Sequence, residues 1–408
     1  MKGFYNKVGH RYLQKLEFGT LRVFYPSGEQ QVYGDNTQPE VDLHIHSSQF
    51  FKRIALYGDI GFAESYMDKD FDTSDLSGLI QLALINSHKL GVKSEDYKKN
   101  RLSNLFPIAN RIKHLLRKNS KTRSRKNIAQ HYDLSNDFFK LMLDETMMYS
   151  SALFESAQDD LYSAQQKKIK HLAQKLRIKP GDHVLEIGSG WGAMALYLAK
   201  EMGCKVTTVT LSQEQKRLCN ERFALEKVQE QIDIQLKDYR DLEGSFDAII
   251  SIEMFEAVGA EYFSHFFKKC EALLKPSGVL AMQVITIADQ RYQSYAKSTD
   301  FIQKYIFPGG HLPSVGKILE VTTKHTRLNL LHMEEFAEDY AKTLRIWDEN
   351  FSRKIDKVYA LGFDEYFVRM WKMYLNYCEA AFLTRNIGLV QMVFSRDQNL
   401  NLNRGLVG

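Results

Sequence analysis

The stretch HVLEIGSGWGAMALYLAK, residues 183–200, decides the fold of this chain. Its first half is a short apolar run that ends at Gly188, which is typical of a buried strand. Glycines at 188, 190 and 192 indicate a turn, and apolar residues at helical spacing follow from Ala193 to Lys200. The stretch therefore predicts a strand, a glycine turn and a helix, in which the turn is a candidate ligand-binding loop.

Strand-like and helix-like segments alternate on both sides of this stretch. Helices of ten or more residues between strands imply right-handed crossovers and a parallel sheet. We therefore predict an α/β fold with a Rossmann-like domain over residues 127–408. Its predicted strands are HVLEIG (183–188), KVTTVTL (205–211), DIQLKD (233–238), FDAIISI (246–252) and GVLAMQVI (278–285), with helices at 161–176, 193–202, 212–225 and 262–274.

The residues before this domain have a different pattern. Short strand-like segments such as TLRVFYP (20–26) and VDLHIHS (41–47) are followed by a helix-like segment at 74–90. This mixture predicts a smaller α+β domain over residues 1–115. Residues 116–126 are rich in basic and small polar side chains, and we interpret them as a linker.

Positive charge is concentrated in one part of the chain, although the net charge is only +5. Residues 97–132 contain eleven Lys or Arg and no Asp or Glu. Near an anionic bilayer each such side chain contributes roughly 1 kcal/mol to binding. The same stretch suits the phosphates of a nucleic acid. Charge alone does not separate a solvated linker, a lipid surface and a nucleic acid.

The chain has the features of a cytoplasmic protein without a membrane span or a metal site. No apolar run approaches the ~18 residues of a spanning helix, and MKGFYNKVGH (1–10) lacks the apolar segment of a signal peptide. The four cysteines are far apart and show no metal-ligand spacing, so we expect reduced thiols. They are Cys204, Cys219, Cys270 and Cys378.

The glycine turn resembles an S-adenosylmethionine (SAM) site more than a phosphate site. A Walker loop needs GxxxxGK[ST], which is missing, and a dinucleotide site needs an acid after the next strand, where this chain has VTLS (209–212). A GxGxG turn preceded by Glu186 fits SAM, because glycines allow close approach of a ligand and a carboxylate suits its ammonium group. Gly188, Gly190 and Gly192 are therefore candidate cofactor-binding residues, and a turn without a ligand is the alternative.

Two further segments follow predicted strands, where ligands bind in open α/β sheets. Thr210, Leu211 and Gln215 follow the second strand, and the neutral Gln215 amide can replace the usual ribose-binding acid. Asp238 follows the third strand, where its carboxylate can accept a hydrogen bond from the adenine amino group. An ordinary turn aspartate is the alternative.

The order of these motifs resembles that of the cyclopropane fatty acid synthases, which are SAM-dependent methyltransferases acting on unsaturated acyl chains. The resemblance covers nearly the whole chain. It is carried by GDIGFAESYMD (58–68), HYDLSNDFFKLMLDETMMYSSALF (131–154), VLEIGSGWG (184–192), VTLSQEQ (209–215), MFEAVG (254–259), DFIQKYIFPGGHLPS (300–314), DYAKTLRIW (339–347) and YLNYCEAAF (374–382).

The resemblance implies that the SAM methyl group adds to the cis double bond of a phospholipid acyl chain. A carbocation results, and a base, thought in the family to be bound bicarbonate, removes a proton from the new methyl group as the cyclopropane ring closes. An alkene is a weak nucleophile, so the sulfonium must be held in line with it and kept dry. SAM and bicarbonate are therefore the expected ligands.

The resemblance also implies where the protein works. The expected partner is a phospholipid bilayer with unsaturated acyl chains, not a nucleic acid, at the inner face of the membrane. The N-terminal domain is expected to dock lipid and pair subunits, because relatives are often homodimers.

Site residues carried over from the family fall into two groups. Glu256 follows strand FDAIISI and can orient the bicarbonate anion, and Tyr340 can donate to that anion or face the cation through its ring. Cys378 is the third residue on this side. The implied SAM contacts are Tyr149, Ser150, Gly188, Gly190, Thr210, Leu211, Gln215, Asp238, Tyr239 and Arg240.

The chain departs from the best-known bacterial pattern at three positions. Ser151 replaces a cysteine, Gln283 replaces a histidine and His311 replaces another cysteine. A contact through the backbone N–H at 151 tolerates serine, and Gln283 can hydrogen-bond an anion but cannot shuttle a proton. These three changes affect the step in which the new methyl group loses its proton more than they affect SAM binding. A methyl-branched or methylene product, a soluble-substrate methyltransferase and a non-catalytic lipid- or SAM-binding protein are the alternatives.

Overall fold

Two β-sheets organise the computed structural model, which describes residues 4–87, 135–397 and 399. The contacts divide the chain into two units. The first holds the described residues up to 87 together with Gln293–Pro308 and Leu344–Ile387. The second holds those from 135 to Tyr292, Gly309–Thr343 and those from Gly388 onward. The predicted linker at 116–126 and the basic stretch 97–132 lie outside the described residues.

The four-stranded sheet of the first unit has mixed strand directions. Strand β1 (Thr20–Phe24) pairs antiparallel with β2 (Gln30–Gly34) and parallel with β3 (Glu40–Ile45), and β3 pairs antiparallel with β4 (Phe71–Asp72). Its N-terminal helices are α1 (Phe4–Leu13), α2 (Gln49–Met67) and α3 (Leu76–Ile85). This is the predicted smaller α+β fold.

The seven-stranded sheet belongs to the second unit. Its strands are β5 (His183–Ile187), β6 (Lys205–Thr210), β7 (Ile232–Leu236), β8 (Phe246–Ile252), β9 (Leu274–Ile287), β10 (Leu328–Glu335) and β11 (Ile387–Arg396), in the order β10-β11-β9-β8-β5-β6-β7. Strands β9, β8, β5, β6 and β7 pair parallel to their neighbours, and β10 is antiparallel to β11. The predicted Rossmann-like α/β fold is confirmed.

The remaining helices follow the order that the sequence predicts around the glycine turn. They are α4 (Asn136–Met142), α5 (Leu161–Lys175), α6 (Ala193–Lys200), α7 (Gln213–Leu225), α8 (Phe263–Leu273), α9 (Asp289–Tyr295), α10 (Val315–His325), α11 (Ala337–Arg353), α12 (Ile355–Ala360) and α13 (Glu365–Leu383). Within the described ranges, no helix is long and apolar enough to cross a membrane.

Alternation of side chains in β5 produces two cores, one on each face of the large sheet. Val184 packs in a cluster with residues of α5, α6 and α7, whereas Leu185 and Ile187 pack in a cluster with residues of α8 and α10. Burial on both faces explains the continuous apolar run of this strand.

The two units do not follow the predicted domains 1–115 and 127–408. Helix α13 lies far along the chain but packs against α2 and α3, so Leu344–Ile387 belongs with the N-terminal residues. Gln293–Pro308 joins the same unit, where Lys304 Nζ lies 2.6 Å from Glu64 Oε1. Sequence periodicity predicts elements and does not show which distant elements share a core.

Asn86 connects helix α3 to the chain that enters β1. Its side-chain oxygen accepts from the N–H groups of Glu17 and Phe18 at 2.9 and 3.1 Å, and its amide donates to the carbonyls of Phe18 and Leu82, both at 2.9 Å. The residue is fully buried. One side chain thus satisfies four backbone groups.

We expect Asn86→Ala to lower the free energy of unfolding by at least about 2 kcal/mol, because buried backbone groups lose their partners. Urea unfolding of both proteins measures the difference. Asn220→Ala, at an exposed position of α7, is the control and should change the free energy by less than about 0.5 kcal/mol. Equal unfolding midpoints for Asn86→Ala and the unsubstituted protein would contradict this role.

Candidate functional site

The glycine turn joins β5 to α6 at the carboxyl edge of the parallel strands. Gly188, Gly190 and Gly192 have φ of 99°, 49° and 87°, which favours glycine at each position. A Cβ on Gly192 would lie 2.8 Å from the Phe223 ring, whereas a Cβ on Gly190 would meet nothing within 4 Å. The turn is thus packed against the protein at Gly192 and faces open space at Gly190.

Glu186 lies in β5 just before this turn and is buried. Thr208, its neighbour on β6, donates its hydroxyl to the Glu186 carboxyl at 2.5 Å. Burial raises the pKa of Glu186 to about 8, against the lowering effect of Thr208 and of the Lys168 charge. A cationic ammonium group nearby would favour the ionised carboxylate, as the predicted SAM contact requires.

The ends of β6 and β7 place the other predicted SAM residues at the same edge of the sheet. Thr210 donates its hydroxyl to Gln215 Oε1 at 2.7 Å, and the exposure of Leu211 beside it is intermediate. After β7, Asp238 forms a buried ion pair with Arg240 at 2.6 Å. Strands β5, β6 and β7 are adjacent, so their ends are brought together as the sequence predicts.

The buried hydroxyl of Tyr239 has no hydrogen-bond partner among the described residues. The Tyr239 ring packs against Phe266 of α8, with 5.5 Å between the ring centroids, so this hydroxyl belongs to the core of the unit. The open space at Gly190 and the buried Glu186 carboxyl fit a ligand with a cationic ammonium group, such as SAM. The described residues therefore suit this cofactor.

The segment before α5 carries Tyr149 and Ser150. The ring centroid of Tyr149 lies 5.2 Å from that of Phe139. The Ser150 carbonyl accepts from the Gln165 amide at 2.8 Å, and its hydroxyl accepts from Lys168 Nζ at 2.7 Å. Two side chains of α5 thus hold the predicted SAM-binding segment.

Lys168 is a fully buried cation. Burial lowers the pKa of its ammonium group to about 8, while the charges of Glu253, Asp144 and Glu186 act to raise it. Lys168 therefore offsets the negative charge of Glu186, beside the glycine turn, and that of Glu253, at the end of β8.

A second cluster, next to the glycine turn, is centred on Glu253, which follows β8 directly. The Ser151 N–H and the Gln283 amide donate to Glu253 Oε1 at 3.0 and 2.7 Å, and the Tyr340 hydroxyl donates to Glu253 Oε2 at 2.6 Å. Burial raises the pKa of Glu253, and the hydrogen bonds from Tyr340 and Gln283 oppose that change. Three donors from distant parts of the sequence therefore converge on one carboxylate.

Glu256 lies three residues further on, in the turn after β8. Its Oε1 accepts from the Ile285 N–H at 2.5 Å, and its Oε2 is buried without a hydrogen-bond partner among the described residues. Burial, and then the charge of Glu253, raise the pKa of Glu256 to about 8. Glu256 is thus placed near Glu253, and one of its carboxyl oxygens can still accept a hydrogen bond from a ligand.

The arrangement does not fit a bicarbonate ion at the predicted position. Tyr340, the expected donor to that anion, and Gln283, which can hydrogen-bond an anion, are already directed at the Glu253 carboxylate, as is the Ser151 N–H. Ser151 contributes its backbone N–H as expected, and its hydroxyl donates instead to the Ala152 carbonyl at 2.9 Å.

Cys378, the third residue predicted on the anion side, belongs to a different unit from Glu253 and Tyr340. It lies on α13, in the first unit, where burial raises the pKa of its thiol. Within the described part of the chain, no group of three or more His, Cys, Asp or Glu side chains is placed to hold a metal ion.

Glu253 and Lys168 are not among the site residues that the sequence predicts, for different reasons. Glu253 follows strand FDAIISI directly, and the strand-end rule that selected Glu256 would have selected it as well. Lys168 lies in AQQKKIKHL, a polar helix segment that is typical of an exposed face, and its sequence carries no signal of burial.

Comparison with protein families agrees with this geometry. Residues 119–392 match the family described as "Mycolic acid cyclopropane synthetase", and residues 8–94 match a domain of unknown function, DUF7884. The first match covers more than half of the chain and includes the residues of both sides of the site.

Curated relatives extend the similarity to nearly the full length. The chain is 37% identical to the tuberculostearic acid methyltransferase UfaA1 of Mycobacterium tuberculosis over 92% of this chain and 88% of the relative. It is also 37% identical to the cyclopropane-fatty-acyl-phospholipid synthase of Escherichia coli, over 88% and 89%.

A solved structure is similar to about two thirds of the chain. The mycolic acid cyclopropane synthase CmaA1, in its complex with SAH and CTAB, matches with a TM-score of 0.63 and 30% identity over 67% of this chain and 98% of that one.

We expect Gly190→Ala to weaken SAM binding at least about tenfold, equivalent to ~1.4 kcal/mol, because its Cβ projects into the open space of the turn. Isothermal titration with SAM measures the change. Gly181→Ala is a matched control, since Gly181 also has a positive φ, 88°, with nothing within 4 Å of a Cβ, in an exposed turn before β5. Equal SAM affinities of the two variants would contradict this role of Gly190.

Proposed function

Because the chain belongs to the mycolic acid cyclopropane synthetase family of SAM-dependent methyltransferases, we propose that it converts unsaturated phospholipids. In this proposal the SAM methyl group is transferred to the cis double bond of an acyl chain, and the product is a cyclopropane fatty acyl chain. The phospholipid substrate is suggested by the E. coli relative, which is named as a cyclopropane-fatty-acyl-phospholipid synthase.

The observation that carries the proposal is an ionisable cluster beside the cofactor turn. Strands β8 and β5 are adjacent, so Glu253 and Glu256 at the end of β8 lie next to the turn that follows Glu186. SAM supplies an electrophilic methyl group when bound. A carboxylate on the far side suits a reaction that creates positive charge on the substrate and ends with loss of a proton.

The described residues also keep this region dry. Ser151, Gln283 and Lys168 are at most 1% exposed, and Tyr340 is 6% exposed. A carbocation would react with water, so exclusion of water protects the addition product until the proton is removed. The same enclosure strengthens the electrostatic stabilisation that Glu253 can offer.

The proposal extends to the site of action. Substrate chains lie within a bilayer, so we place the enzyme at the inner membrane surface as a peripheral protein. A homodimer paired through the N-terminal unit remains part of this prediction.

A second candidate is methylation without ring closure, in which the cation loses a proton to give a methylene chain or takes a hydride from an external reductant to give a methyl-branched chain. Gln283, at a position where the family pattern has histidine, favours it because an amide does not shuttle protons. The tuberculostearic acid methyltransferase of M. tuberculosis is as similar to this chain as the E. coli synthase.

We expect phospholipid acyl chains to gain one CH2 unit when the protein is expressed in a host that lacks such an enzyme. With methyl-deuterated methionine the added carbon should carry two deuteriums, because one is lost as the ring closes. Mass spectrometry measures both quantities, and resistance to mild hydrogenation separates the ring from a methylene group.

The controls are the empty host and a strain expressing Gly190→Ala, whose lipids should change less. Three retained deuteriums would favour the methyl-branched product of the second candidate. Lipids with no added carbon would overturn the proposed function and direct attention to soluble substrates.

A further inference from the structure

We propose that the carboxylate of Glu253 is the base that takes the proton from the transferred methyl group, so that this enzyme needs no bound bicarbonate. The inference rests on the proposed function and assigns a catalytic role to a residue of the chain itself. The Glu253 side chain already accepts the hydrogen bonds that a bound anion would need.

The Glu253 carboxylate matches its donors as a bound bicarbonate would. A carboxylate and bicarbonate present the same pair of oxygens on one planar carbon, and both accept hydrogen bonds without donating when fully ionised. Glu253 Oε1 receives the Ser151 N–H and the Gln283 amide, and Oε2 receives the Tyr340 hydroxyl. A second anion would need the same donors and would meet the Glu253 charge.

The orientation of Gln283 is fixed by a chain of hydrogen bonds that begins at Lys175, whose ammonium group can only donate. Lys175 Nζ donates to Gln391 Oε1 at 2.6 Å, so the Gln391 amide faces Gln283 Oε1 at 2.9 Å. The remaining amide group of Gln283 must then face Glu253, as it does at 2.7 Å. An amide cannot replace a base, but in this relay it holds one in place.

The backbone at Glu253 is strained. Its φ is 49°, in the left-handed region that costs energy for a residue with a side chain. The Glu253 N–H donates to the Gln283 carbonyl at 2.8 Å, which holds this conformation at the end of β8. The strained conformation aims the side chain at the donors from Ser151 and Tyr340, and such strain is concentrated at functional sites.

Glu253 has intermediate exposure, whereas the donors around it at Ser151, Gln283 and Tyr340 are buried. Glu253 is therefore the least buried residue of the cluster. Lys168 supplies a compensating positive charge that favours the ionised carboxylate.

The step balances without any further reactant. The methyl carbon forms a bond to one alkene carbon as its bond to sulfur breaks, which leaves a positive charge on the other alkene carbon. The Glu253 carboxylate then takes a proton from that methyl group. The released C–H electron pair forms the second ring bond, the charge is neutralised, and the protonated carboxyl returns its proton to solvent between turnovers.

The first test uses the unsubstituted protein with SAM and unsaturated phospholipid vesicles, in buffer freed of carbon dioxide and in the same buffer with added bicarbonate. Lipid product is measured by mass spectrometry. We expect turnover to agree within about twofold in the two buffers. A loss of about tenfold or more without bicarbonate, reversed by adding it, would overturn the assignment. Tenfold corresponds to ~1.4 kcal/mol in the barrier.

The second test uses two substitutions at the same position. Glu253→Gln keeps the size of the side chain but removes the base, and we expect turnover to fall at least about 100-fold with SAM affinity within threefold (~0.7 kcal/mol). Glu253→Gly suits the positive φ and leaves a space lined by the same donors. It should lose activity in bicarbonate-free buffer and regain part of it when bicarbonate is added.

Glu243→Gln, at an exposed position before β8, is the matched control and should keep full turnover. Wild-type turnover of Glu253→Gln or Glu253→Gly in bicarbonate-free buffer would show that Glu253 is not the base. Absence of lipid product from the unsubstituted protein in both buffers would instead overturn the proposed function, and the base assignment with it.

Discussion

Burial of charge is the constraint on which the second unit depends. Lys168 is fully enclosed, and its cost is offset by Ser150 and by the charges of Glu186, Glu253 and Asp144. The helix that carries it, α5, also fixes the Ser150 carbonyl through Gln165. Cofactor turn, carboxylate cluster and connecting helix therefore form one electrostatic system, in which each buried ion limits the protonation of the others.

Much of the large sheet could be predicted from the period of its apolar residues. The strand of residues 183–187, the glycine turn and the helices on either side have the predicted order, and their bounds differ by one or two residues except in β9. Strand β9 begins four residues earlier than predicted, at Leu274, because the pairing of Phe246 with Leu274 extends it. Local pattern determines these elements, so sequence reasoning finds them.

The candidate site was only partly predictable. Tyr340 and Gln283 were identified through the family resemblance, but their common acceptor Glu253 was not. The partners of Glu253 are separated from it by 102, 30 and 87 residues along the chain. No period in the sequence links such positions, since the crossovers and the packing of α11 bring them together. The same reason explains why the grouping of α13 with α2 and α3 was not expected.

The left-handed backbone at position 253 has a consequence for how such enzymes diverge. Glutamate and glycine codons differ by a single base, and glycine is the residue that this φ of 49° favours. One nucleotide change would therefore exchange an ionised side chain for an empty space without disturbing the chain path. A single mutation can thus convert an enzyme that uses its own carboxylate as the base into one that needs bicarbonate from the cell. The supply of inorganic carbon in the cell then becomes a selective pressure on this one codon.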